Sequence, residues 1–169
     1  MKSRIEAIWV PQDLLKEICE LATRAYPNET GGVLMGYDAG NGIVLTSVIG
    51  PGPRARHEPR AFRPDYEYQD AEIQRAYTSS RRCHTYLGDW HSHPHGAEAL
   101  SWKDKRALRS VSSYQPARAP RPIMGILAGG NPWRLSVWRY HPLNLRGGRY
   151  ISRYEQMETI RTERRRSSA

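Results

Sequence analysis

The chain of 169 residues is long enough to bury the core of one domain without stabilising cross-links. Its hydrophobic content of 38% and mean hydropathy of −0.73 favour a globular protein, and no apolar run approaches the ~20 residues that cross a bilayer. The N-terminus carries no apolar signal segment, and the two cysteines, Cys19 and Cys83, are interpreted as reduced thiols. We therefore expect a cytoplasmic protein that does not bind a membrane.

The order of strand and helix patterns along the chain predicts a mixed domain. Apolar residues at helical spacing, β-branched runs and turn sequences such as DAGN and GGNP mark the elements. In chain order the prediction is a strand (4–10), a helix (13–26), a hairpin (29–37 with 42–50), a loop rich in proline and arginine (51–63), a helix (65–80), a strand (83–92), a helix (101–114) and a hairpin (121–129 with 133–140). The predicted fold class is therefore α/β of the α+β type, with a mixed, largely antiparallel sheet flanked by helices.

The end of the chain is predicted to be an extension of the domain. We expect the domain to occupy residues 1–145, and a basic extension, partly helical and frayed, to occupy residues 146–169. At their junction, the stretch 145–148 reads LRGG, which looks like the tail of ubiquitin itself. This stretch is either a self-processing site, cut before Arg149, or a flexible turn that leads into the last helix.

The formal net charge is +9, and the basic residues are concentrated in segments 51–63, 103–109 and 161–166. Such a surface attracts nucleic acid or an acidic protein, and a solvated basic face with a basic tail also explains it. Aromatic residues are sparse near these basic segments, where Phe62 is the single phenylalanine, and this argues against a platform for stacking bases. Nucleic acid is therefore not the expected partner.

Three of the six histidines lie within residues 91–95. On a strand, His91 and His93 project from the same face, about 6–7 Å apart at the backbone, so both imidazoles can reach one metal ion. Asp104, in the first turn of the following helix, can supply a third ligand. Two histidines and one acid leave a fourth position for water, which is the pattern of catalytic zinc sites. His95 is interpreted as an ordinary surface histidine.

The same residues have an explanation without a metal. Ser101 and Asp104 form the Ser-x-x-Asp pattern of a capping box at the start of a helix. One His-x-His pair on a strand is also weak evidence for a metal when it stands alone.

The complete spacing resembles the JAMM signature of the JAB/MPN metallopeptidases. His91-x-His93 is followed by Pro94, and ten residues separate His93 from Asp104 in the Ser-x-x-Asp pattern. NETGGVLMGY places Glu29 before small residues and an apolar run, as in that family, and GPGPRARHEPRAFRPD resembles the loop and helix start of its prokaryotic members. The resemblance covers residues 5–140 and implies a single JAB/MPN-like domain with a curved sheet.

The resemblance also implies a role for each residue of the signature. His91, His93 and Asp104 would bind one Zn²⁺ per chain, Glu29 would be the general base toward the attacking water, and Ser101 would stabilise the oxyanion. The His-Glu-x-x-His and Pro-Cys-x-x-Cys patterns of other zinc hydrolases do not occur in the chain.

The activity implied by the resemblance is that of a JAMM-type zinc metalloprotease. Family members with this set of residues are isopeptidases or peptidases that cleave after the C-terminal glycine of ubiquitin or a ubiquitin-like protein. Compact bacterial members resemble the deconjugating enzymes of ubiquitin-like transfer systems, including those linked to phage defence, so the activating and conjugating enzymes are expected partners. Two alternatives stay open: release of an amino acid or peptide from a sulfur-carrier tail, and a binding scaffold without catalysis.

Overall fold

The computed structural model of the chain describes residues 6–144 and 150–163. The strands are β1 (Ala7–Pro11), β2 (Gly31–Asp38), β3 (Gly42–Ile49), β4 (Arg56–Glu58), β5 (Ala61–Arg63), β6 (Thr85–His93), β7 (Ile123–Gly129), β8 (Trp133–Asn144), β9 (Tyr150–Gln156) and β10 (Glu158–Thr162). The helices are α1 (Gln12–Ala25), α2 (Tyr66–Ser79) and α3 (Trp102–Ser113), and a 3-10 turn covers Gln115–Ala117. None of the helices in these ranges is both long enough and apolar enough to span a membrane. The LRGG stretch at 145–148 lies outside the described residues.

Eight of the strands form one mixed sheet in the order β10-β1-β3-β2-β6-β7-β8-β9. Strands β9 and β10 stand at opposite ends of this order, yet Met157 is the single residue between them in the chain. The sheet must therefore curl so that β9 and β10 come close together. At this point the Met157 amide donates to the carbonyl of Val137 on β8 at 2.8 Å. The predicted mixed, curved sheet is confirmed.

The helices cover both faces of the sheet because neighbouring side chains on a strand point to opposite faces. On β2, Leu34 belongs to the cluster beneath α1, which buries Leu14 and Ile18. Its neighbours Val33 and Met35 belong to the cluster that packs against α2. Helix α3 buries Leu108 against β7 on the face that also carries the histidines of β6.

Two expectations about the elements are wrong. The segment expected to be a partly helical extension forms β9 and β10, which pair with β8 and with β1. Glu, Arg and Gln favour helices in isolation, but pairing with strands distant in sequence overrides that preference. The loop expected over 51–63 contains the antiparallel hairpin β4–β5.

A buried arginine in the middle of β8 joins the residue before β1 to the last residue of β2. The Arg139 side chain, which is 5% exposed, donates to Glu6 Oε2 at 2.5 Å and to Asp38 Oδ2 at 2.7 Å. Burial raises the pKa of the Asp38 carboxyl, but the hydrogen bond and charge of Arg139 outweigh burial, and the pKa is lowered. This network therefore stabilises the curled sheet while the Asp38 carboxylate is ionised.

Candidate active site

Two histidines and an aspartate converge where β6 ends and α3 begins. His91 Nε2 lies 2.9 Å from His93 Nε2 and 3.1 Å from Asp104 Oδ1. His93 Nε2 lies 3.9 Å from Asp104 Oδ2. The strand brings the two imidazoles to one face, and the first turn of α3 brings the carboxylate to them. Among the described residues, these three form a group that could hold a metal ion.

The spacing of these atoms fits a tetrahedral metal ion. Bonds of about 2.0–2.1 Å to nitrogen and oxygen place neighbouring ligand atoms about 3.3 Å apart in tetrahedral geometry. The separations from His91 Nε2, 2.9 Å to His93 Nε2 and 3.1 Å to Asp104 Oδ1, lie close to that value, whereas the 3.9 Å from His93 Nε2 is measured to the other carboxylate oxygen, Oδ2. One ligand atom from each residue lies within 4.8 Å of the other two, so small adjustments of the side chains would bring all three to one metal ion. Three protein ligands would leave a fourth position of such an ion for water or substrate.

The imidazole of His93 is oriented by the loop that follows it. His93 Nδ1 lies 3.0 Å from the Ala97 carbonyl oxygen. A carbonyl oxygen only accepts, so this bond requires the proton on Nδ1 and leaves the lone pair on Nε2. The lone pair then faces His91 and Asp104, which is the tautomer that a metal at this position requires.

Asp104 is held in place by the start of its own helix. Ser101 N donates to Asp104 Oδ2 at 2.6 Å, and Asp104 N donates to Ser101 Oγ at 3.3 Å, which completes the predicted capping box. Burial raises the pKa of the Asp104 carboxyl. The hydrogen bond and charge of His91, together with the hydrogen bonds from Ser101, outweigh burial and lower the pKa to about 2. The carboxylate is therefore ionised at neutral pH, as a metal ligand must be.

The hydroxyl of Ser101 accepts a hydrogen bond at the start of the helix and is also a hydrogen-bond donor. In the capping box Ser101 Oγ accepts from the Asp104 amide, which uses an oxygen lone pair. Its O–H contributes to the lowered pKa of the Asp104 carboxyl and can turn to another acceptor beside the metal ligands. The capping role and the oxyanion role are thus compatible in one side chain.

Glu29 lies two residues before the start of β2, across from the histidines. Gly31 is opposite His91 in the antiparallel register, and Ser92 N donates to the Thr30 carbonyl, so the register continues with Glu29 opposite His93. Glu29 is therefore on the face of the sheet that carries both imidazoles. Burial raises the pKa of its carboxyl, and the charges of His91 and His93 act in the opposite direction.

The hairpin β4–β5 packs against the start of β2 and fixes Glu29. Glu29 N donates to the Glu58 carbonyl at 2.9 Å, and His57 Nδ1 lies 3.1 Å from the Glu29 carbonyl. A Cβ on Gly31 would lie 2.9 Å from both Phe62 Cε1 and His91 Cβ. Glycine at 31 thus allows the hairpin, β2 and β6 to approach each other beside the metal ligands.

The structure brings the predicted residues together, with His95 apart from them as expected. His95 is exposed and contacts the Tyr26 ring edge-on, at 5.4 Å between centroids. The sequence patterns did not reveal that His57 supports Glu29 or that Ala97 orients His93. A histidine in a hairpin and a backbone carbonyl in a loop carry no local signal of such roles.

Comparisons with known proteins identify the family. Residues 11–141 match the family described as prokaryotic homologs of the JAB domain. The probable metalloprotease y4qB of Sinorhizobium fredii is 42% identical over 135 residues, 78% of this chain and 82% of that protein. A CD-NTase/cGAS isopeptidase of Vibrio cholerae is 32% identical over 82 residues, 48% of this chain and 52% of that protein. The solution structure of protein DSY2949 from Desulfitobacterium hafniense has a TM-score of 0.66 at 20% identity, over 92% of this chain and 93% of that chain.

The chain therefore belongs to the family of prokaryotic homologs of the JAB domain. The similarity to protein DSY2949 concerns the fold alone, and together with the family it confirms the predicted single JAB-like domain. The predicted class of activity, a hydrolase of the JAB-type peptidase or isopeptidase kind, is confirmed at that level.

Proposed function

We propose that the chain is a zinc-dependent isopeptidase or peptidase that cleaves after the C-terminal glycine of a ubiquitin-like protein. The observation that carries the proposal is the convergence of His91, His93 and Asp104 on one point, with Glu29 on the same face. Two relatives are named CD-NTase/cGAS isopeptidases, which favours an isopeptide bond as the substrate. The partners we propose are a ubiquitin-like protein, its conjugates and the enzymes that form them.

Three side chains bind the metal in this proposal. His91 and His93 supply neutral imidazole nitrogens, and Asp104 supplies one carboxylate oxygen. Two nitrogens and one oxygen with an open position are the donor set of catalytic zinc, so we propose Zn²⁺, one per chain. When bound, zinc lowers the pKa of a water to about 7 and polarises the scissile carbonyl.

Glu29 and Ser101 divide the remaining chemistry. The Glu29 carboxylate accepts a proton from the attacking water and returns it to the leaving amine. Its raised pKa suits this exchange, because a base with a pKa closer to neutrality both takes and releases a proton readily. The Ser101 hydroxyl donates a hydrogen bond to the oxygen that becomes negatively charged when water adds to the carbonyl.

An extended tail is the form of substrate that the hairpin β4–β5 could bind. Strands β4 and β5 form a separate two-stranded sheet, so each keeps an edge that pairs with no strand among the described residues. An extended peptide can add to such an edge through its backbone and lead toward the metal ligands. A glycine has no side chain to keep the peptide backbone away from the strand edge and the metal ligands, which favours glycine at the cleaved bond.

Fusions of ubiquitin-like proteins to a reporter through their C-terminal glycine test the proposal. We expect cleavage after that glycine, no cleavage with a zinc chelator, and recovery when zinc is restored. Replacing the last glycine by valine should prevent cleavage. Release of a single amino acid from a sulfur-carrier protein, with intact fusions, would favour the first alternative. Binding without cleavage by the zinc-loaded protein would favour a scaffold.

The metal ligands are tested separately on the purified protein. His91→Ala and Asp104→Ala should each remove most of the zinc, because each deletes one of three protein ligands. His95→Ala is the matched control, since it deletes a neighbouring imidazole outside the group and should keep the metal. Metal analysis after dialysis distinguishes these results, and full zinc in both ligand variants would contradict the assignment.

A further inference from the structure

The loop between His93 and α3 is attached to the sheet through one acidic residue. Arg134 donates to Glu98 Oε1, Ser136 Oγ donates to Glu98 Oε2 at 3.0 Å, and both donors are on β8. Trp138, on the same strand, donates to the backbone carbonyl of Glu98 at 3.1 Å. Three residues on one face of β8 therefore hold Glu98 by both its side chain and its backbone.

The attachment continues beyond β8 into the C-terminal segment. Gln156 Nε2 lies 3.4 Å from Ser136 Oγ and donates to it, while Ser136 donates to Glu98. Hydrogen bonds in such a chain polarise one another, so the bond to Glu98 is strengthened by the one behind it. Strand β9 thus contributes to the position of the loop although it stands at the edge of the sheet.

Glu98 follows directly after the residue that orients His93. The Ala97 carbonyl accepts from His93 Nδ1 at 3.0 Å, and Gly96 N donates to the His93 carbonyl at 3.1 Å. On the other side of Glu98, Leu100 is buried in the core beneath α3. Ala97 itself is exposed. The bonds of Glu98 supply the restraint nearest to that carbonyl.

We infer that Glu98 is a positioning residue for the metal site, which acts through the Ala97 carbonyl to keep the His93 imidazole in the tautomer and orientation that bind metal. Glu98 does not itself touch the metal ligands. A partner of a ligating histidine contributes typically 10–100-fold to metal affinity, and Glu98 fixes that partner. The inference rests on the ligand assignment made under the proposed function, and the experiment tests the two separately.

The experiment measures zinc affinity of the metal-free protein by competition with a chromophoric chelator. Glu98→Ala should weaken zinc binding by about tenfold, the low end of the range for partners of ligating histidines. Glu98→Gln keeps one acceptor oxygen for Ser136 and should lose less. Glu67→Ala is the matched control, because Glu67 also forms an ion pair with an arginine but lies on α2. It should leave the affinity unchanged.

Two further measurements separate positioning from a general loss of stability. In zinc-free protein, the ¹⁵N shifts of His93 should show the proton on Nδ1, and Glu98→Ala should give a mixture of tautomers. Ser136 acts through Glu98, so Glu98→Ala with Ser136→Ala should bind zinc no more weakly than Glu98→Ala alone. If Glu98→Ala does not fold, Trp138→Phe removes the N–H on the Glu98 carbonyl and should shift both readouts in the same direction.

Parental zinc affinity and an unchanged His93 tautomer in folded Glu98→Ala would overturn the inference. Additive losses in the double variant would also overturn it. His93→Ala distinguishes this failure from failure of the ligand assignment. If His93→Ala loses zinc while Glu98→Ala keeps the parental affinity, the ligands stand and the positioning role falls. If His93→Ala keeps zinc, the assignment falls and the inference with it.

Discussion

Replacing Ser101 by alanine tests the two roles that meet in one hydroxyl. The variant loses the bond in which Ser101 Oγ accepts from Asp104 N at 3.3 Å. The reciprocal bond, from Ser101 N to Asp104 Oδ2 at 2.6 Å, uses the backbone and survives. Asp104 should therefore keep its position, and the protein should keep its zinc.

The two roles of Ser101 predict effects of different size on stability and on rate. Loss of a serine cap typically destabilises a protein by about 1 kcal/mol, which is about 2–4 °C in the unfolding midpoint for a domain of this size. Loss of a hydroxyl that stabilises the oxyanion should lower kcat by about 10²–10³-fold. Ser101→Gly separates the two effects, because glycine at this position costs only a few tenths of a kcal/mol and also lacks the hydroxyl.

Thermal unfolding, zinc content and single-turnover cleavage should be measured for both variants. We expect zinc-loaded Ser101→Ala and Ser101→Gly to share the same loss of rate, although alanine alone lowers the midpoint clearly. A Ser101→Ala protein with a lowered midpoint, full zinc and the parental rate would refute the oxyanion role. The serine would then be a helix cap and nothing more.

Three other predictions concern the base, the basic hairpin and the buried arginine network. Glu29→Gln should keep zinc and fold but lose about 10²–10⁴-fold in cleavage rate, because an amide cannot accept the proton; a parental rate would contradict the mechanism. Arg56 and Arg63 face each other across β4–β5 and are exposed, so reversing either charge should slow association with an acidic substrate, and salt should slow the parental protein. Lys16→Glu on α1 is the control for charge reversal. A cleavage rate that does not change with salt would mean that Arg56 and Arg63 only form a solvated basic face. Asp38→Asn should cost about 1–2 kcal/mol at neutral pH, because the buried guanidinium loses a charged partner. The pKa of Asp38 is lowered in the folded protein, so its ion pair with Arg139 stabilises the fold fully above the pKa of the unfolded chain. This stabilisation is lost as the pH falls through the pKa of the folded protein. Urea titrations should therefore show that the difference in unfolding free energy between the parental protein and Asp38→Asn becomes smaller in acid.

Much of the fold follows from local patterns in the sequence. Apolar residues recur at helical spacing along α1, and β2 and β3 are largely continuous apolar runs, and all three form as predicted. The hairpin β7–β8 forms around GGNP, where the chain must reverse. Strands β9 and β10 were predicted as a helix because edge strands facing solvent carry polar residues, which leaves only a weak period of two.

The candidate metal ligands could be predicted because their geometry is local. Strand alternation alone places His91 and His93 on one face, and the first turn of a helix eleven residues further on presents Asp104. The position of Glu29 could not be predicted from the local periodicity of the sequence. Its place opposite His93 depends on the antiparallel register of β2 and β6, whose paired residues are separated by about a third of the sequence.

The sequence by itself therefore determined the class of the domain, most of its elements and the residues that can hold a metal, because each of these depends on neighbours within about one turn or one strand. The tertiary structure alone decided how the sheet closes through Met157, how Arg139 is neutralised by Glu6 and Asp38, and how Glu98 is held by β8. Those contacts join residues that are distant in the chain. The residues next to each side chain in the sequence do not indicate which distant partner it will contact after folding.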